Sequence, residues 1–230
     1  MAGSKMQDSC RCKAWQATTR HLAVKKIPRR LNQLTEKGGI QMPSIKDEKA
    51  EMEGVLAVAK AMAVAARTAP KARGVDAIET LIVFGEDLDA IGQAMEEHGK
   101  NSNTSDIFKR DAGNVRESHA VLLVGIKDLR PKKMDQPLDC GACGNIDCAG
   151  FLRAEKKEGK DFPGPVCMFQ AMDLGIALSS ACAVAAGFHI DNRMMYTIGG
   201  PARKLGWMQS DIIIGIPLSC TGKNIYFDRP

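Results

Sequence analysis

The segment Ala120-Val-Leu-Leu-Val-Gly-Ile126 is an unbroken apolar run. After a charged, proline-containing connection (Lys127 to Asp139), the chain reads Asp139-Cys-Gly-Ala-Cys-Gly-Asn-Ile-Asp-Cys148. An apolar run without alternation predicts a strand covered on both faces. The glycine-rich, thiol-rich stretch fits no such strand and reads as an insert between two halves of a domain. Before the run, Met52, Val55, Leu56, Ala59, Met62, Ala63 and Ala66 recur at helical spacing, with Glu53, Lys60 and Arg67 on the opposite face. Ser44 with Asp47 and Glu48 supplies a start signal for this helix, and Pro70 and Gly74 end it. Ile78 to Phe84 predicts a strand. Glu86 to His98 and Asp106 to Glu117 predict helices, joined by a polar loop. Beyond the insert, a short helix is expected over Phe151 to Glu158. Cys167 to Gly187 is apolar nearly all round and belongs in a core or a subunit interface. A turn region at Met194 to Gly200, a short helix to Leu205 and a buried strand at Asp211 to Ile216 complete the order. The expectation is one α+β domain with an inserted metal module at residues 139–167.

Four cysteines define that module. Cys140, Cys143, Cys148 and Cys167 follow the spacing C-x2-C-x4-C-x18-C. Four thiolates can wrap one metal centre, either an iron–sulfur cluster or zinc. Zinc sites usually pair their cysteines in two knuckles, and here the second half holds only Cys167, which favours iron–sulfur. Two disulfides are the other alternative, unusual without a secretory signal. Gly141, Gly144, Gly150 and Gly164 let backbone approach closely and point N–H groups at sulfur.

From Asp139 through Cys148 to Cys167, the sequence resembles the small four-cysteine domain of certain electron-transport subunits and corrinoid iron–sulfur proteins. That resemblance implies one 4Fe–4S cluster with all four cysteines as ligands. A second resemblance covers most of Met52 to Arg229. Ala66-Arg67-Thr68-Ala69-Pro70, Asp173-Leu174-Gly175-Ile176-Ala177, Ala185-Ala186-Gly187-Phe188 and Ile213-Ile214-Gly215-Ile216-Pro217 are similar to segments of the nitroreductase-type flavoproteins. It implies a nitroreductase-like three-layer domain, a homodimer, and FMN at the subunit interface. Arg67, Lys71, Arg73 and Lys223 would then face anionic cofactor groups. The alternative for Arg67, Lys71 and Arg73 is that they are helix-end cations, favourable against the C-terminal dipole. The chain departs from the family in lacking an Arg-rich phosphate motif after Met42. Lys71 and Gly74 also stand where the family often has Ser and Asn. Together the two resemblances point to a group of ferredoxin-domain proteins from anaerobic bacteria and archaea. The function they imply is a redox protein whose cluster relays electrons to or from FMN, served by a redox partner such as a ferredoxin. A non-catalytic electron carrier or redox-sensing module is the alternative, with a zinc-stapled structural protein behind it.

Residues 1–41 read as a different sequence. They hold nine Lys or Arg against two acidic residues, and the remainder holds 23 basic and 25 acidic residues, a net charge of −2. The body, 42–230, therefore offers no basic surplus for nucleic acid or anionic lipid. The leader is expected to be disordered or non-native, because Lys37-Gly38-Gly39 can be encoded by a ribosome-binding purine tract followed by a start at Met42. Cys10 and Cys12 then carry no function. The best apolar stretch, Leu174 to Phe188, is short for a membrane span and preceded by Asp173, so no membrane partner and a cytoplasmic location are expected. His98, His119 and His189 are isolated in sequence. Cys182 reads as a small buried hydrophobe, Cys220 as a structural thiol in a Pro-Leu-Ser-Cys-Thr-Gly loop, and Arg110-Asp111 as a local ion pair. No P-loop, dinucleotide fingerprint or hydrolase elbow is present.

Overall fold

The centre of the computed structural model is the apolar run itself. Residues 44–100 and 102–227 are described, all but Ser44 within the unit Ile45–Pro230. The leader, with Cys10, Cys12 and the start at Met42, lies outside the described residues. The elements are α1 (Asp47–Thr68), β1 (Ile78–Phe84), α2 (Asp87–Gly99), α3 (Ser105–Arg116), β2 (Ala120–Ile126), α4 (Cys148–Arg153), β3 (Lys157–Glu158), β4 (Pro163–Gly164), α5 (Met168–Gly187), β5 (Asp191–Asn192), α6 (Gly199–Leu205) and β6 (Ile212–Ser219). Short 3-10 turns sit at Ala72–Gly74 and Tyr196–Ile198.

Strand β2 is buried at all seven positions and lies between β1 and β6, in an antiparallel sheet of order β1-β2-β6-β5. Successive side chains of a strand face opposite layers. Accordingly Leu122, Val124 and Ile126 pack with α1 and α5, while Val121 and Leu123 pack with α2, α3 and α6. The result is helices on both faces of a small sheet, the α+β three-layer arrangement expected. Gly199 marks a close approach between layers, since a Cβ there would stand 1.8 Å from the Ile213 carbonyl oxygen.

Several boundaries differ from expectation. Helix α1 begins at Asp47, with Lys46 in the capping position and no side-chain cap, so Ser44 does not start it. Asp47 and Glu48 in the first turn instead complement the positive helix end. The expected helix over Phe151 to Glu158 is displaced. The Asp147 side chain accepts the Gly150 N–H, which starts α4 at Cys148, and the chain then turns back through the β3–β4 hairpin. Strand β6 passes Pro217, because pairing with β2 continues to Ala120 opposite Leu218. Strand β5, two residues long, had no sequence signal.

Helix α5 buries Leu174, Ala177, Leu178, Ala181 and Ala185, while Met172 and Ile176 stay exposed. With 20 residues and mean hydropathy 1.4 it is long and apolar enough to cross a membrane by length and composition, unlike the shorter stretch read from sequence. Its buried face packs on α1 and the sheet. Arg110 and Asp111 do pair, and Asp111 also accepts the Thr197 hydroxyl at 2.7 Å.

The second half of the insert is tied to the body by charge. Lys156 meets Asp211 at 2.8 Å, Arg203 meets Glu158 at 3.0 Å, and Asp161 accepts hydrogen bonds from His98 Nε2 and the Tyr196 hydroxyl. Burial raises the Asp161 carboxyl, but the hydrogen bonds from Tyr196 and His98 outweigh it and hold it below the ordinary carboxylate range. A depressed pKa gives stability that is present above the unfolded value of about 3.9 and lost as pH falls through the folded one. Acid should therefore loosen this segment. Limited proteolysis between residues 154 and 164 is expected to accelerate as pH falls below about 4. Asp161→Asn should show the faster cleavage already at neutral pH.

Candidate metal centre

The first three thiols are set by a tight loop. Asp139, Gly141 and Gly144 adopt left-handed backbone, with φ of 45°, 71° and 84°. The loop is closed by the Cys148 N–H donating to Asp139 Oδ1 at 2.8 Å, and by the Gly144 N–H donating to the Gly141 carbonyl at 3.0 Å. Positive φ at both glycines is the conformation that side chains resist. Cys148 then opens α4. Cys167 stands at the N-terminal end of α5, its own N–H held by the Leu129 carbonyl at 2.9 Å.

Cys140, Cys148 and Cys167 line one cavity, together with Arg73, Lys132 and Phe169; Cys143 is not among its lining residues. Cys140 is exposed, Cys143 half-buried, and Cys148 and Cys167 buried. The backbone N–H and side-chain amide of Asn145 hold the Cys143 thiol below its ordinary pKa, the amide nitrogen lying 3.6 Å from the sulfur. Burial pushes the Cys167 thiol up, and the neighbouring Cys140 and Cys148 thiols push the same way against the N–H groups of Phe169 and Gln170. Thus the last cysteine, remote in sequence, joins the loop cysteines.

The donor set fits a cluster better than a single ion. Tetrahedral zinc with bonds of about 2.3 Å needs its sulfurs about 3.8 Å apart. Among the described residues, the group of three or more His, Cys, Asp or Glu ligand atoms that lie within 4.8 Å of one another is Glu51, His119 and Cys220; the cysteine quartet forms no such group. No three of the four sulfurs are gathered at zinc spacing.

The wall of the cysteine cavity includes a feature that sequence reading missed. Lys132 and Asp173 form an ion pair with side chains 3% exposed on each partner. Lys132 Nζ also donates to the Val75 carbonyl at 2.6 Å, and the Ala72 N–H donates to Asp173 Oδ1 at 2.9 Å. Helix α5, the 72–75 turn and the connection before the cysteines are thereby locked together beside the cavity. An aspartate within an apolar helix was the available signal; its partner, 41 residues earlier, was not.

The basic residues expected at a flavin divide between different surroundings. Lys71 Nζ donates to the Ala66 carbonyl at 3.0 Å and to that of Arg67, capping the C-terminal end of α1. Arg67 pairs with Asp76 at 3.0 Å, donates to the Ile78 carbonyl, and borders a groove with Thr68 and Glu79. Arg73 has a left-handed backbone (φ 59°) and donates to Gln136 Oε1 at 3.2 Å from the wall of the cysteine cavity. Lys223 follows β6, its carbonyl accepting from the Thr221 hydroxyl at 2.6 Å.

An uncharacterized protein of Archaeoglobus fulgidus is 46% identical to this chain over 177 residues, which are 77% of this chain and 92% of that one. Residues 163–229, from just before Cys167 through α5 and β6, match a family described as "uncharacterized protein containing a ferredoxin domain". The chain belongs to that family. Membership in this ferredoxin-domain family brings a redox role. Among solved structures, a nitroreductase with bound FMN from Bacteroides fragilis overlaps 82% of this chain and 84% of its own, with 10% identity and a TM-score of 0.48. A nitroreductase with bound FMN from Desulfitobacterium hafniense overlaps 82% and 85%, with 15% identity and a TM-score of 0.45. Both overlaps are partial.

Proposed function

We propose that this ferredoxin-domain protein is an iron–sulfur redox protein holding one 4Fe–4S cluster on Cys140, Cys143, Cys148 and Cys167, and that it passes electrons to or from FMN bound between two copies of the chain. The observation that carries this reading is the convergence of Cys140 and Cys148 from the tight loop, and of Cys167 at the N-terminal end of α5, on one cavity, with Cys143 in the same loop. A cluster supplies one-electron transfer, and FMN would link that to two-electron chemistry. The chain's own residues shape the site. Asp139 and the two left-handed glycines hold the loop, Asn145 donates to the Cys143 sulfur, and Arg73 brings positive charge to the wall, where Lys132 is paired with Asp173. Ile146, 94% exposed between the second and third cysteines, offers an apolar contact for a redox partner such as a ferredoxin. The exposed apolar side of α5, with Met172, Ile176 and then Phe188, supports a homodimer contact.

A second reading follows from Lys71 and Arg67. Their commitment to the end of α1 favours a carrier or redox-sensing module that docks a partner enzyme without a flavin of its own. Anaerobic reconstitution separates the two. The protein should show visible absorption that bleaches on reduction and the electron paramagnetic resonance signal of one reduced cluster. Bound flavin at about one per chain supports the relay, and its absence after incubation with FMN selects the carrier. A protein without the cluster signal contradicts both.

A further inference from the structure

The molecule brings together a second set of metal-ligating side chains on the sheet end reached by β6. His119 immediately precedes β2 and Cys220 immediately follows β6. The two strands are antiparallel, with Ala120 opposite Leu218, and the His119 N–H donates to the Leu218 carbonyl at 2.9 Å. Both side chains are therefore fixed at one end of the sheet. Helix α1 packs against β2 and supplies Glu51 there from its second turn. One ligand atom from each of these three residues lies within 4.8 Å of the other two.

The details suit a coordination site. His119 Nε2 is 3.9 Å from Cys220 Sγ. Zinc bonded at about 2.3 Å to sulfur and about 2.0 Å to nitrogen, at a tetrahedral angle, would set them about 3.5 Å apart, so small rotations suffice. His119 Nδ1 is buried without a hydrogen-bond partner among the described residues, so the N–H that a metal-bound imidazole usually donates to a carboxylate, carbonyl or water would need a water there. A thiolate, an imidazole and a carboxylate together carry two negative charges, matching a divalent ion. Sulfur and nitrogen donors select zinc over magnesium or calcium.

We propose that Glu51, His119 and Cys220 form a metal site separate from the cysteine quartet, binding one zinc ion with its fourth position open to water. The ion clips α1 to the ends of β2 and β6. Neither the cluster nor the flavin enters this inference, and it stands whether or not the relay operates.

The test uses the full chain, purified without oxygen, with its iron content measured throughout. Wild type, Cys220→Ser, His119→Ala and Glu51→Gln are dialysed to equilibrium against micromolar Zn2+, and bound zinc is counted by elemental analysis. Wild type should hold about one more zinc per chain than Cys220→Ser or His119→Ala, at equal iron content. Glu51 is exposed, so Glu51→Gln keeps the fold and should weaken zinc binding about 10-fold or more. Zinc should also raise the melting temperature of wild type and not that of Cys220→Ser. Equal zinc in wild type and Cys220→Ser, or zinc uptake in wild type that matches its loss of iron, overturns the proposal.

Discussion

Lys132→Ala should cost about 3–5 kcal/mol of stability, because it leaves the buried Asp173 carboxylate without its cation. The pair is nearly sealed, at 3% exposure on each side chain, and Lys132 also satisfies the Val75 carbonyl. For a domain of this size each kcal/mol corresponds to about 2–4 °C, so the melting temperature should fall by roughly 6–20 °C. Replacing both partners separates charge from packing. Lys132→Met with Asp173→Leu removes the orphaned charge and should regain a large part of the loss. The recovery stays incomplete, since the Ala72 N–H loses its acceptor at a cost of about 1–3 kcal/mol. A double variant no more stable than Lys132→Ala would contradict the buried-charge explanation. Lys132 also forms part of the cysteine cavity wall, so the single variant should lose its cluster faster in air than wild type.

Periodicity and continuous burial made much of the fold legible. The run at Ala120–Ile126 is the central strand because β-pairing on both sides and helices on both faces leave no position for water. The first helix and α5 were equally plain, since each buries a repeating set of apolar residues. What escaped was decided by contacts between distant segments. Two-residue strands such as β5 carry no period. The turn from α4 into the β3–β4 hairpin depends on Asp147 capping one residue ahead of Cys148 and on Gly159, whose N–H donates to the Phe162 carbonyl. At the candidate metal centre, cysteine spacing pointed to the quartet, and the glycines to the tight left-handed loop that the structure holds. The Lys132–Asp173 lock and the meeting of Glu51, His119 and Cys220 join residues far apart in sequence, and no local pattern announces them. The basic residues after α1 show the converse. Their spacing allowed a cofactor role, but carbonyl groups at the helix end compete for Lys71.

The largest chemical effect is expected from Cys143→Ser. Serine is a far weaker ligand for iron than thiolate, and iron–sulfur clusters are held by cysteine thiolates. Cys143 is half-buried and lies in a loop rather than in the apolar core, so the chain should still fold. Loss of visible absorption and of bound iron, with a near-normal circular dichroism spectrum, is the expected outcome. Cys182→Ser provides the comparison. Cys182 lies partly buried on α5, where burial lifts its thiol pKa to about 11, and its replacement should leave iron content unchanged. Equal cluster content in Cys143→Ser and wild type would remove Cys143 from the ligand set. A loss of similar size in Cys182→Ser would mean that the cluster responds to general loosening of the fold.

The proposed function stands on one iron–sulfur cluster held by four thiolates. Its most direct test is the metal and sulfide content of protein purified and reconstituted without oxygen. About four iron and four acid-labile sulfide per chain are predicted, falling together in Cys143→Ser. Zinc in place of iron, lost from Cys143→Ser and accompanied by no sulfide, would contradict it.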